Sequence, residues 1–313
     1  MEEIFNAKPH GITFHHFHDE IKHVKGQGSI TSEQFNTIIL LLKSKHEILS
    51  AHDWYNAVLE GKLMPNQVCI TFDDNLLCQY EIALPVLEKH NITAFWFVYT
   101  SPLVGVTEKI ELYRYFLSKN YSGFSDFYNH FRKAIDASEF AEMVNNALRD
   151  FKPETYLSEF SFYTHQDRIY RYLRDQVLKR ESYRKIMDAM IENSNLNIPE
   201  IAKILWTPKE GVQYLHKTGH IIGLHSHTHP TDIKQLSLDE QKQEYETNYF
   251  NLKNILNEPI TTIAHPSNSY NNDTLQIMES LGIQLGFRAN MKEGFTSKYE
   301  YPRIDHTYIA SLI

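Results

Sequence analysis

Three histidines crowd into the five residues His225-Ser226-His227-Thr228-His229, directly after the apolar run Ile221-Ile222-Gly223-Leu224. A short apolar run of this kind reads as a buried strand. Gly219 before it and Pro230 after it are its breakers. Neutral imidazole is a good ligand for a borderline metal such as zinc. A second apolar run, Val68-Cys69-Ile70-Thr71-Phe72, ends in the adjacent carboxylates Asp73 and Asp74. Two like charges at the end of a buried strand are costly unless a cation or a proton satisfies them. One aspartate with two histidines is a facial donor set that keeps positions open for water. The second aspartate is then free to act as a base. The plainer alternatives are a histidine-rich polar turn, in a chain with 17 histidines, and an Asp74 that caps the segment from Leu76 onward.

Strands and helices in alternation must position these groups. Gly11-Ile12-Thr13-Phe14 reads as a first strand and runs into His15-His16-Phe17-His18-Asp19. Thr31 and Gln34 form a capping box, and Phe35, Ile38, Ile39 and Leu42 recur at helical spacing behind it. Residues 47–50 read as a short strand and 52–59 as a helix. The stretch 77–90 reads as a helix with Pro85 inside it, tolerable only near a boundary or with a kink. The run 92–99 is aromatic and β-branched throughout. Further on, Pro208 opens a helix to Lys217, and Ser237 and Glu240 make another capping box. Leu238, Tyr245, Tyr249, Leu252 and Leu256 mark the expected buried face of the helix that follows. The closing elements are a strand at 261–264, a helix at 273–280, a strand at 283–287 and a last strand from Tyr301 to Ile309. This alternation argues for an α/β barrel or a doubly wound sheet.

Between these parts, over 102–206, the β runs stop and charged, aromatic-rich helical segments take over. Ile169, Leu173, Val177, Ile186 and Met190 fall at three- and four-residue multiples, which predicts an amphipathic helix. Tyr113, Tyr115, Tyr121, Tyr128, Tyr163, Tyr170 and Tyr172 either stack on a bound ring or pack against one another.

Thr71-Phe72-Asp73-Asp74, followed by His225-Ser226-x-x-His229, resembles the polysaccharide deacetylases, the NodB-homology domain of carbohydrate esterase family 4. Gly219-His220-Ile221-Ile222-Gly223-Leu224-His225 is similar to the family's G-H-E-I-G-x-H, with Ile221 where glutamate is usual. Phe14 and His15 through Asp19 resemble the Tyr-His-x-x-x-Asp opening of several branches. The resemblance implies a distorted (β/α) barrel of the NodB-homology type as one catalytic domain over 1–313, with 102–206 as a helical insertion. It implies Asp74, His225 and His229 as ligands of a divalent metal, zinc first and cobalt, nickel or iron as alternatives. It implies Asp73 as the base and a late histidine, here His306, as the acid, with His15 as its substitute. Ala264-His265-Pro266-Ser267 stands where the family's third motif carries an arginine that orients the base. Only Pro266 survives there, and Arg303 or Arg288 is the candidate substitute for that arginine. His15, His265, Pro266 and Arg303 are the residues expected on the substrate side.

The substrate implied is an N-acetylated sugar, a sugar nucleotide or a lipid-linked saccharide. Net charge −8 argues against nucleic acid as the main partner. Two cysteines, Cys69 and Cys78, make no disulfide framework. No apolar stretch approaches the ~20 residues a membrane span needs. The opening Met1-Glu2-Glu3-Ile4-Phe5 lacks a basic start with an apolar run, so the expectation is a cytoplasmic protein acting on a precursor. The 102–206 segment is expected to serve as a lid or an oligomer surface. Two other readings compete. His225-x-His227 also resembles the amidohydrolase barrel pattern, and the altered third motif suits a carbohydrate-binding relative without turnover.

Overall fold

The computed structural model describes residues 8–158, 163–194, 196–294 and 297–310, so the opening Met1–Phe5 lies outside the described residues. Eight strands form one sheet: β1 (His10–Phe14), β2 (Glu47–Ile48), β3 (Gln67–Phe72), β4 (Phe95–Val98), β5 (Ile221–Leu224), β6 (Thr262–Ala264), β7 (Leu285–Phe287) and β8 (Arg303–Asp305). Their order is β7-β6-β5-β4-β3-β1-β8, with β2 joined to β3, and every pairing is parallel. The two ends of this order come together. Tyr301, just before β8, bridges Phe287 of β7, and Arg288 N–H donates to Tyr301 O at 3.0 Å. The sheet is therefore nearly closed into a distorted (β/α) barrel.

Parallel strands need helical crossovers, and the capping signals set where these begin. The Thr31 capping box opens α1 (Ser32–Lys45), whose buried side chains are Phe35, Ile38, Ile39 and Leu42. Next come α2 (Ala51–Leu59) and α3 (Leu84–His90). Pro85 is handled by a boundary. A π-helical turn, Gln79–Ala83, runs directly into α3, and Pro85 lies at the junction, where the widened turn accommodates a residue without an N–H. Inside the barrel, Phe95, Phe97 and Phe287 pack together with Cys69, Ala264 and Leu285. Gly223 is required there, because a Cβ would lie 2.6 Å from the Phe97 ring. Outside, the Phe14 ring meets Phe35 of α1 at 4.8 Å, and Phe72 stacks on Trp96 at 4.3 Å. Both cysteines are buried and free.

Backbone contacts divide the chain into two compact units: the barrel, up to Glu108 and from Ile204 onward, and Lys109–Lys203. The described residues of the second unit contain α4 (Lys109–Asn120), α5 (Phe124–Asp136), α6 (Ala141–Leu148), α7 (His165–Tyr172), α8 (Lys179–Glu192) and most of α9 (Ile198–Leu205), and no strand. A π-helical turn, Leu173–Leu178, lies between α7 and α8. Its wider winding rotates the face, so Leu178 and Met187 are buried rather than Val177 and Met190.

Back in the barrel unit, α10 (Lys209–Lys217) leads into β5, followed by α11 (Leu238–Leu256), α12 (Asn272–Ser280) and α13 (His306–Ala310). Two sequence expectations are corrected here. The last strand stops at Asp305, and His306 begins α13 instead of continuing it. On α11 the buried side chains are Gln241, Tyr245, Asn248, Leu252 and Ile255, whereas Leu238 is exposed. Periodicity read from apolar residues alone misses a face whose polar members have buried partners. Among the described residues no helix is long and apolar enough to cross a membrane.

Candidate active site

Strand register decides where the chemistry gathers. Phe14 pairs with Phe72, Val98 with Leu224, and Ala264 with Phe287. The next residues, His15, Asp73, Tyr99, His225, His265 and Arg288, therefore leave the sheet at one rim, the carboxyl end of a parallel barrel. Asp74 (φ 77°), Asn75 (φ 54°), Ser226 (φ 61°) and His229 (φ 53°) all have left-handed backbone, which turns the chain back over that rim.

Asp74, His225 and His229 offer ligand atoms that all lie within 4.8 Å of one another. Asp74 Oδ1 is 3.4 Å from His225 Nε2 and 3.2 Å from His229 Nε2. His225 Nδ1 is 2.8 Å from the carbonyl of Ala264. A carbonyl can only accept, so Nδ1 carries the proton and Nε2 turns its lone pair toward Asp74. Asp74 Oδ1 is itself a buried acceptor with no hydrogen-bond donor. A lone pair and a carboxylate oxygen facing each other across 3.4 Å repel unless a cation or proton lies between them. Burial would push the Asp74 carboxyl up, yet the positive charge of a protonated His229 beside it outweighs burial and holds it well below the usual carboxylate range. The donor set, one oxygen and two nitrogens, fits a divalent ion such as zinc.

Asp73 sits beside this set in a different environment. Arg303 grips it with both arms, Nη1 to Oδ1 at 2.7 Å and Nη2 to Oδ2 at 2.8 Å. Arg303 is anchored in turn: Nε donates to Arg288 O at 3.1 Å and Nη1 to Thr71 Oγ1 at 3.2 Å. Its guanidinium lies over the Phe97 and Phe287 rings inside the barrel. Burial would raise the Asp73 carboxyl, but the Arg303 charge and then His225 bring it below its ordinary value. Asp73 is thus an ionised acceptor of fixed orientation. His15 stands over it, with Nε2 3.7 Å from Asp73 Oδ2 and Nδ1 3.8 Å from Asp305 Oδ2. About a third of the His15 side chain (32%) is exposed, so it can reach a bound molecule.

Other expected site residues take different roles. His306 is buried, stacks on Phe14, and donates from Nε2 to Gly28 O at 2.9 Å. An imidazole whose N–H is committed to a buried carbonyl is poorly placed to protonate a leaving amine. His265 is buried too. Its Nε2 donates to Tyr299 O at 2.9 Å, its ring stacks on Tyr270, and burial pushes its pKa down to about 4. Pro266 is buried, and Arg303, only 1% exposed, is covered by the base it holds. None of these three presents a surface to substrate. The distant guanidinium that the altered third motif demanded is Arg303. His227 is turned away from the ligand set, with Nδ1 2.9 Å from Thr100 Oγ1, which favours the His225–His229 pair over an HxH pair.

Several contributors were not found from sequence. Gln79 Nε2 donates to Asp73 O at 2.6 Å and to His15 O at 2.8 Å, tying two strand ends together. The Tyr99 ring lies 5.4 Å from that of His229, and Trp206 Nε1 donates to Tyr99 OH. On α11, Glu244 and Asn248 bond the histidine loop. The signal available for Asn248 was its spacing, three residues after Tyr245 and four before Leu252 on one helix face.

The chain's likeness to known proteins agrees with this geometry. Residues 164–286 match the family model for polysaccharide deacetylase. No curated protein matches the chain. Among solved structures, the Streptococcus pyogenes deacetylase PplD in complex with acetate superposes with TM-score 0.54 at 18% identity, covering 96% of this chain and 92% of that one. IcaB from Ammonifex degensii gives TM-score 0.54 at 12% identity over 97% and 96%. A de-N-acetylase from Aggregatibacter actinomycetemcomitans gives 0.56 at 12% over 95% and 94%. At these identities the superpositions speak for the fold, and the family match speaks for its kind. Taken with the barrel and its rim, they show that the chain has the fold of these solved structures and that its residues 164–286 are similar to the polysaccharide deacetylase family model.

Proposed function

We propose that the chain is a divalent-metal-dependent hydrolase that removes an N-acetyl group from an amino sugar, releasing acetate and a free amine. The observation that carries this reading is the Asp74–His225–His229 set, its first two members buried, beside a separately held Asp73. Asp74, His225 and His229 would hold the ion, with zinc the best fit to these donors. Such an ion polarises an amide carbonyl and makes water more acidic.

The chain's own groups supply the rest. Asp73 is an ionised base whose orientation Arg303 fixes, and it accepts the proton of the attacking water. His15 is the group placed to give a proton to the departing amine. It is about one-third exposed and faces both Asp73 and Asp305. Arg303 keeps Asp73 from drifting toward the metal set. The substrate class is an N-acetylated sugar, sugar nucleotide or lipid-linked saccharide, handled in the cytoplasm, with Lys109–Lys203 as an insertion available for self-association.

Mass spectrometry on N-acetylated sugars, sugar nucleotides and short oligosaccharides, incubated with zinc-loaded protein, tests the reading. A product lighter by one acetyl group supports it. Metal and sugar binding without any such product would instead favour the carbohydrate-binding relative.

A further inference from the structure

The histidine loop is bonded along its length to one face of α11. Asn248 Oδ1 accepts the N–H of His225 at 3.0 Å, while its Nδ2 donates to Val98 O at 2.9 Å and Thr100 Oγ1 at 3.2 Å. One turn earlier, Glu244 takes three hydrogens from the residues between the ligands. Its Oε2 accepts His227 N–H at 2.9 Å and Thr228 N–H at 2.8 Å, and its Oε1 accepts the Thr228 hydroxyl at 2.6 Å. Residues four apart share a helix face, so Glu244 and Asn248 act together. The remaining bonds complete the hold. His229 N–H donates to Ser226 Oγ at 3.1 Å, and His227 O accepts from Ser101 N–H at 2.9 Å.

This loop carries two non-glycine residues in left-handed conformation, Ser226 (φ 61°) and His229 (φ 53°). Such conformations persist only where the surroundings over-determine them. A carboxylate that accepts two successive N–H groups and a hydroxyl is a strong local constraint, because bonds to an ionised acceptor are about twice as strong as neutral ones. It sits between the two imidazoles whose spacing defines the donor set.

We propose that Glu244 is a positioning residue that pre-organises His225 and His229 for metal, so that removing its charge weakens metal binding more than it weakens the fold. This rests on the metal reading above. No motif near Glu244 marks it, and it touches neither ligand side chain in any of these bonds.

The test is the zinc dissociation constant, measured by competition with a chromophoric chelator, for wild type, Glu244→Gln and Thr228→Val, alongside the melting temperature of each metal-free protein. Glu244→Gln keeps the size and one acceptor oxygen but sets an amide N–H₂ against donors. The expected result is metal affinity weakened about 10- to 100-fold, the range for groups that orient ligands, with the metal-free melting temperature close to wild type. Thr228→Val removes one of the three bonds and should weaken affinity several-fold; it also decides the matter should Glu244→Gln fail to fold. Wild-type zinc affinity in both variants overturns the proposal and leaves the metal site standing. A melting temperature that falls with no change in affinity also overturns it. A wild-type chain that takes up no zinc sinks the metal reading itself.

Discussion

The barrel and the helical unit use polar groups in opposite ways. At the barrel rim, Asp74, His225 and His229 point buried acceptors at one another. Within Lys109–Lys203, polar groups are consumed by their neighbours. Tyr170 and Tyr183 share a hydrogen bond of 2.6 Å, the Tyr113 hydroxyl donates to Asp188 at 2.8 Å, and Phe151 stacks on Tyr172 at 3.8 Å. The Tyr163 ring lies beneath the Arg171 guanidinium. Burial, joined by these partners, pushes the Tyr113 and Tyr183 phenols upward and keeps them neutral. A region that leaves charge unsatisfied invites a ligand. A region whose described aromatic hydroxyls and acids bond one another serves as a scaffold, and most of the tyrosines that looked available for sugar stacking belong to one.

The sharpest way to break this contrast is to remove a ligand. His225→Ala and His229→Ala should each abolish zinc retention and lower turnover by ~10³-fold or more, since the ion contributes several kcal/mol to the transition state. His227→Ala should keep its zinc. Elemental analysis and an amine-release assay check both. Asp73→Asn should lower turnover by ~10²–10⁴-fold while zinc stays bound, the usual scale for a lost general base. Retained turnover there would move the base elsewhere.

Arg303→Met should cost about 3–5 kcal/mol in stability, because it leaves the buried Asp73 charge without its partner. Urea denaturation measures it, and a loss below ~1 kcal/mol would mean that solvent reaches Asp73. A smaller effect follows from His220. Its Nδ1 accepts N–H from both Ala94 and the Trp96 indole at 3.0 Å, and burial pushes its pKa down to about 4. The unfolded chain binds this proton near pH 6.5 and the folded chain does not. Its contribution is therefore full above pH 6.5 and is lost as pH falls toward 4, by ~3 kcal/mol in all. Denaturation between pH 7 and 4.5, with the His220 ring followed by NMR, reads this directly. The smallest effect belongs to the helical unit. Tyr183→Phe should cost ~1 kcal/mol and leave turnover per zinc unchanged. A large loss of activity would show that this unit does more than hold itself together.

Much of the site was legible because its signals are local. A strand of buried residues that stops at Asp73-Asp74, and another that stops at His225, announce themselves by residue type and alternation. The capping boxes at Thr31 and Ser237 placed α1 and α11 as they stand in the structure. What failed was local inference stretched too far. His306 was read as part of a strand, though α13 begins at that residue and its ring turns to Gly28. Val177 and Met190 were read on a regular helix that a π turn interrupts.

The sequence by itself determined which side chains could bind a cation, and that each would stand just past a buried strand, because residue chemistry and period-two burial are properties of short segments. Only the closed sheet decided which groups meet. Arg303 reaches Asp73 across 230 residues because β8 pairs with β1 while Tyr301 bridges β7. The same closure, together with the packing of α11 on the histidine loop, sets the donors' spacing, their proton positions and their shielding from water. Those quantities belong to distances between segments, and no single segment contains them.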